Sequence, residues 1–173
     1  MPCAVTEGNA MDNTDISVLE LLVSDARHTD SELAVMLGIS QEELRGRKEK
    51  LERDGVIIGY SAIVNTEKLE NDSVSALIEV KAIPQRGCGF DEIAEQLYQF
   101  DEVKSCYLMS GAYDLMLIVE GKNINAVARF VSERLSILDN VQSCATHFIL
   151  KRYKCSGRVF VKESSDKRLV VSP

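Results

Sequence analysis

The stretch Leu115-Met116-Leu117-Ile118-Val119 is apolar at every position. Successive side chains of an extended strand point to opposite sides, so a strand of this kind must be covered on both. A second run has the same character, with Val74, Ala76, Ile78 and Val80 interleaved with Leu77. The rest of this half supplies two helical stripes, Phe90, Ile93, Ala94 and Leu97, then Ile124, Val127, Ala128, Val131 and Leu135. Two helices cover one face of a small sheet. The other face is predicted to be covered by a second copy of the chain, sheet against sheet.

The order of these elements sets the fold. Ser73 to Ile83 reads as a strand stopped by Pro84, and Val103 to Met109 and Tyr113 to Glu120 read as two strands joined at Ser110-Gly111-Ala112. The second helix extends to about Leu138, and Val141 to Lys151 is the last strand. This β-α-β-β-α-β order predicts a ferredoxin-like antiparallel sheet with both helices on one side. Residues 152–162, with Arg152, Tyr153, Lys154, Arg158 and Phe160, are expected to add a strand, and 163–173 to form a loosely held tail.

The first half reads differently. Ile16, Leu19, Leu22 and Val23 repeat at helical spacing after the capping candidates Asn13, Thr14 and Asp15, which predicts a helix over about 13–25. A short helix over 30–37, capped by Asp30 or Ser31, ends at Gly38, and Ser40 with Glu43 has the spacing of a capping box for a third helix over about 41–54. Two helices joined by Gly38-Ile39-Ser40 have the proportions of a helix-turn-helix. The β-branched run Val56 to Val64 would supply a wing strand; any three-helix bundle is the plainer reading. The predicted organisation is α+β. It comprises a flexible tail at 1–10, a winged helix-turn-helix at 11–64, a linker at 65–72, a ferredoxin-like domain at 73–162 and a tail at 163–173.

Composition excludes several classes. With 45% apolar and 27% charged residues the chain is too balanced to be disordered, no run of about 18 apolar residues is present to form a transmembrane helix, and residues 1–10 lack the pattern of a secretory signal. A cytoplasmic location is expected. Five cysteines (Cys3, Cys88, Cys106, Cys144, Cys155) without a C-x-x-C pair, and two histidines, give no metal site and no disulfide framework; free thiols packed as small apolar residues are expected. No nucleotide-binding or nucleophile motif is present, and spacing brings no partner beside His28 or His147, so no catalytic residue is assigned.

Charge is uneven along the chain. The whole carries −7, and residues 11–64 hold eleven acids against six bases. That balance opposes strong electrostatic attraction to nucleic acid.

Several local sequences together resemble a known family. They are Asp12 and Asp15-Ile16 leading into Leu19 and Leu22, Asp25-Ala26-Arg27, Glu32-Leu33-Ala34, Leu37-Gly38-Ile39-Ser40, Leu44, Arg47, Leu51-Glu52 and Gly55 to Tyr60. With Ser110-Gly111-Ala112-Tyr113-Asp114 and Val141 to Leu150, they are similar to the Lrp/AsnC, or feast/famine, transcription regulators over about residues 12–152. The resemblance implies sequence-specific binding of double-stranded DNA by a homodimer or larger even-numbered assembly, up to an octamer, tuned by an amino-acid effector. It implies no cofactor and no membrane. In such a module the third helix enters the major groove. Gln41, Glu42, Arg45, Gly46 and Glu49 are then the groove-facing candidates, with Ser40, Arg47, Lys48 and Lys50 available for phosphates and Leu44 and Leu51 facing the core. A solvated face is the competing reading for Arg45, Lys48 and Lys50.

An α-amino acid needs a fixed acid for its ammonium and free donors for its carboxylate. Asp114 is the candidate acid, and the amides of Gly111, Ala112 and Tyr113, with the Ser110 hydroxyl, are the candidate donors. On the family pattern Gln142, Cys144 and Thr146 fall near the same pocket. Asp114 as a cap of its own hairpin turn is the alternative. Two rival functions share the architecture: an enzyme resembling the decarboxylases of haem and siroheme biosynthesis, and a ligand-sensing module that has lost DNA binding.

Overall fold

The structure, a computed structural model, describes residues 11–69, 73–84 and 89–160. The predicted tails, the end of the linker, Cys3 and Cys88 lie outside those residues. The chain divides into two compact units between Ala62 and Ile63.

In the first unit α1 spans Asn13–Ser24, α2 Asp30–Leu37 and α3 Gln41–Arg53. Their starts differ from the sequence expectation. Asp12, not residues 13–15, caps α1, forming a capping box with Asp15, and Thr29, not Asp30 or Ser31, caps α2 in a box with Glu32. Ser40 accepts from the Glu43 amide at 3.1 Å, but the Glu43 side chain turns to Arg47, so only half of that box forms. Gly38 ends α2 with φ of 67°, a conformation that favours glycine. Val18, Leu22, Leu33, Ala34, Leu44 and Leu51 are buried together. Burying each leucine or valine contributes about 1.5–3 kcal/mol, which must fix three short helices against one another.

No strand forms over 56–64, so the predicted wing is absent as a β element. Ile58 and Tyr60 are exposed there, and a β-branched run without a paired neighbour lacks ladder hydrogen bonds. The segment is tied locally by backbone bonds from Val56 and Ile57 to Leu51 and by the Tyr60 hydroxyl donating to Glu52 at 2.9 Å.

In the second unit β1 (Val74–Ala82), α4 (Phe90–Tyr98), β2 (Val103–Leu108), β3 (Leu115–Gly121), α5 (Ile124–Phe130) and β4 (Val141–Phe148) follow the predicted order. The antiparallel sheet runs β2-β3-β1-β4. Ala76, Ile78, Val80, Leu115, Leu117 and Val119 form its inner face, closed by Ile93 and Leu97 of α4 and by Val127, Phe130 and Leu135. The second stripe is thus shifted from the expected one: Ile124 and Ala128 are exposed and Phe130 is buried. After Phe130 the helix widens into a π-helical turn, Val131–Leu135, closed by the Ser136 amide donating to Val131 at 2.8 Å.

Strand alternation leaves Leu77, Glu79, Tyr107, Met116, Ile118, Ala145 and His147 on the other face. Tyr113 and Asp114 precede β3 rather than belong to it, and β4 stops before Ile149. The residues after Arg152 form a separate hairpin, β5 (Lys154–Cys155) with β6 (Arg158–Val159), not one more strand of the sheet.

Candidate functional site

Leu44 and Leu51 turn one side of α3 into the first unit's core, as the seven-residue spacing requires. The opposite row, Glu42, Gly46, Glu49 and Arg53, is exposed at every position. Gln41 and Arg45 flank it on one side and Glu43 and Lys50 on the other, all but Lys50 exposed. The row that projects furthest carries two acids, a glycine and one base. An added Cβ at Gly46 would meet nothing within 4 Å, so the fold itself does not require glycine there.

Two bases of α3 are held by acids of neighbouring helices. Arg47, 23% exposed, donates at 2.7 Å to both Asp12 and Asp15 and at 3.0 Å to Glu43. Asp15 is 3% exposed, so Arg47 answers a carboxylate that has left water. This bonding locks the middle of α3 onto the start of α1 and commits a side chain expected from the sequence to reach phosphate. Lys48 donates to Asp30 at 2.8 Å, and the Arg45 guanidinium lies 4.0 Å from the same carboxylate. The Lys48 hydrogen bond holds the Asp30 carboxyl below its ordinary value. Ser40 is exposed, but its hydroxyl is used as the α3 cap.

The second cluster lies at one end of the sheet. Ser110, Gly111 and Ala112 are exposed, Tyr113 and Asp114 half-buried. Asp114 does not cap its own hairpin: its carboxylate accepts from the Ala82 amide of β1 at 2.9 Å, and its amide donates to Val80 at 3.1 Å. Gly111 has no positive φ and open space where a Cβ would stand, so neither backbone conformation nor packing requires glycine there. Ala82 pairs in turn with Val141, which brings Gln142, exposed at a β-bulge, to the same end. Cys144 and Thr146 lie further along β4 on the helix-covered side, and Cys144 touches Ser136 at 3.5 Å. A cavity of about 190 Å³ in this unit is lined by Ile63, Asn65, Arg158, Val159 and Phe160 and includes none of these residues.

His147 has a partner that spacing did not reveal. Its Nε2 lies 3.5 Å from Glu79 on the open side of the sheet, because register sets β4 beside β1. Cys106, Cys144 and Cys155 are free thiols, and burial pushes the Cys106 thiol up. Among the described residues no group of three or more His, Cys, Asp or Glu is placed to hold a metal ion, and no helix is long and apolar enough to cross a membrane.

Comparison with known proteins agrees with both halves. Residues 11–52 match the AsnC-type helix-turn-helix domain and residues 75–159 the Lrp/AsnC ligand binding domain. The HTH-type transcriptional regulator YugG of Bacillus subtilis is 48% identical over 160 residues, covering 92% of this chain and 96% of that one. A Neisseria meningitidis transcriptional regulator solved as a complex with L-Met is 28% identical, with a TM-score of 0.68 over 84% of this chain and 94% of that one. The Mycobacterium tuberculosis leucine response regulatory protein gives a TM-score of 0.73 at 27% identity, over 86% and 98%. With a helix-turn-helix whose third helix is bare on its outer side, joined to a split βαβ sheet, the chain belongs to the Lrp/AsnC family of DNA-binding transcriptional regulators.

Proposed function

We propose that this regulator binds operator DNA as a homodimer, or a larger even-numbered assembly, in the cytoplasm, and that an α-amino acid bound at the Asp114 end of the sheet tunes the binding. The observation that carries the reading is the outward row of α3, exposed throughout while the inner row is fixed by Leu44, Leu51 and Arg47. A rigid helix with one bare side is what a duplex groove accepts. Its chemistry suits base edges better than phosphate. Gln41 can pair with adenine, Arg45 with guanine, and Glu42 or Glu49 can accept from the cytosine amino group.

Two features support the remaining parts of the reading. The open side of the sheet presents Leu77, Met116, Ile118 and Tyr107, a surface suited to a second copy. At the turn, Asp114 offers a negative charge beside the exposed backbone of Gly111 and Ala112, a pairing that fits the two ends of an amino acid. The L-Met complex of the Neisseria relative supports that class of effector. Gln142 stands at the same end, whereas Cys144 and Thr146 are poorer contacts because they point to the helices.

Selection of duplexes from a random pool by the full-length protein, with and without each of the twenty amino acids, tests the whole reading. The expected product is a paired motif with half-sites about one helical turn apart. Recovery of random sequence at every effector condition overturns it.

A further inference from the structure

We propose that Asp30 is a specificity-determining residue: its carboxylate occupies Lys48 and Arg45 as a DNA phosphate would, and so weakens the grip of the helix-turn-helix on random duplex. The inference rests on α3 being the helix that meets DNA.

The geometry is specific to this pair of helices. Asp30 opens α2, where the free amides of the first turn favour a negative charge independently of any partner. From there it reaches across to α3, with Lys48 at 2.8 Å and Arg45 at 4.0 Å. Lys48 is 22% exposed, so its ammonium is drawn back against the body of the unit, whereas the Arg45 side chain is 66% exposed and remains near the outward row. With Arg47 already bonded to Asp12, Asp15 and Glu43, and Arg53 3.8 Å from Asp54 at the far end, four of the five bases of α3 have acids beside them.

The consequence follows from how the two binding modes draw on charge. Binding to arbitrary sequence depends almost wholly on neutralising phosphates and releasing their counterions. For Lys48 to join, it must leave Asp30, and the abandoned carboxylate then faces the duplex. One phosphate contact is gained as one internal pair is lost, so random DNA gains little. Binding to the cognate sequence draws on base edges read from Gln41, Glu42, Arg45 and Glu49, a mode in which the Asp30–Lys48 bridge stays closed. Asp30 therefore penalises the first mode more than the second.

The test compares log affinity against log salt for a random duplex and for the selected operator, using the full-length protein. Asp30→Asn is expected to raise affinity for random duplex about three- to tenfold at low salt and to steepen its salt slope by about one per head. The ratio of operator to random affinity should fall. The gain should disappear in the double variant Asp30→Asn/Lys48→Gln. Glu20→Gln on α1, exposed and outside the Asp30–Lys48–Arg45 group, removes the same charge and should move neither slope nor ratio. Asp30→Ser, which keeps an oxygen at the start of α2, serves if the asparagine variant unfolds. An unchanged slope, or equal gains on both duplexes, overturns the proposal. Arg45→Ala is the arm that separates the two readings. If it leaves operator binding intact, α3 is not the reading helix; if it weakens binding while Asp30→Asn does nothing, only the role of Asp30 fails.

Discussion

The Asp114 carboxylate accepts from the Ala82 amide across a strand boundary, so a candidate effector acid is also what closes the end of β1. Ala82 is buried, and Asp114→Ala leaves its N–H without that acceptor, at a cost of about 1–3 kcal/mol. Asp114→Asn keeps an oxygen there and should recover most of the loss in a thermal melt, while removing the charge that an ammonium needs. Calorimetry of the asparagine variant against the amino acid that binds wild type should then show weakened binding on an intact fold. Wild-type affinity would leave Asp114 as a strand clamp alone.

Arg47→Ala should destabilise the helix-turn-helix by about 3 kcal/mol, because it strands the buried Asp15 carboxylate without its cation. Arg47→Lys should restore only part of this, since an ammonium cannot reproduce the guanidinium fork across Asp12, Asp15 and Glu43. Urea unfolding followed by circular dichroism measures both. A midpoint for the alanine variant equal to wild type would mean that the network contributes nothing.

Gly46→Ala should raise stability by about 1 kcal/mol, the usual gain for alanine over glycine inside a helix, because no atom lies within 4 Å of the new methyl group. Melting temperature and operator affinity should then move in opposite directions if DNA approaches the bare backbone at that position. Affinity that rises with stability would place the duplex elsewhere on α3.

Acid should weaken the first unit progressively once the pH falls below about 5. Asp12, Asp25, Asp30 and Glu32 all have carboxyls held below their ordinary values. For Asp12 the Asp15 amide is the largest cause and Arg47 the next; for Asp25, at about 2, it is Arg27; for Asp30, Lys48; for Glu32, Thr29. A depressed folded value means that the unfolded chain binds protons first. The stability these groups add is present above about pH 5 and lost as pH falls through the folded values, to about 2 for Asp25. At the alkaline end, burial and Glu52 push Tyr60 up to about 12, so its contribution is full below pH 10 and lost as pH rises through 12. An acid titration by circular dichroism showing loss already at pH 5 would contradict the first statement.

Ile118→Glu on the open side of the sheet should yield a folded monomer in sedimentation, because a charge there opposes stacking without touching the inner core. A folded variant that still sediments as wild type would move the contact to another surface.

The second unit was the more legible half. Its apolar strands, the hairpin between β2 and β3 and the inner helix α4 stand where alternation and helical spacing put them. Several of the failures share a cause, which is dependence on a partner distant in sequence. Val56 to Val64 has the composition of a strand, but composition supplies no neighbour to pair with. Arg47 meets Asp12 and Asp15 across 35 and 32 residues, Lys48 meets Asp30 across 18, and no local period encodes such contacts. His147 beside Glu79 appears only once the strand register is known. The cap at Thr29 is local, since Thr29 and Glu32 have the spacing of a capping box, but Asp30 and Ser31 beside it are equally good cap residue types. At the turn, sequence placed Asp114 beside exposed backbone but could not show that its carboxylate was already bonded to β1.

The two buried clusters have no residue in common: one is built from Val18, Leu22, Leu33, Ala34, Leu44 and Leu51, the other from the sheet and its helices. The side chains that pack one core are therefore not those that pack the other, and a substitution in either cluster removes no core side chain from its counterpart. Mutational drift within one set can accumulate without a compensating change of apolar residue in the other.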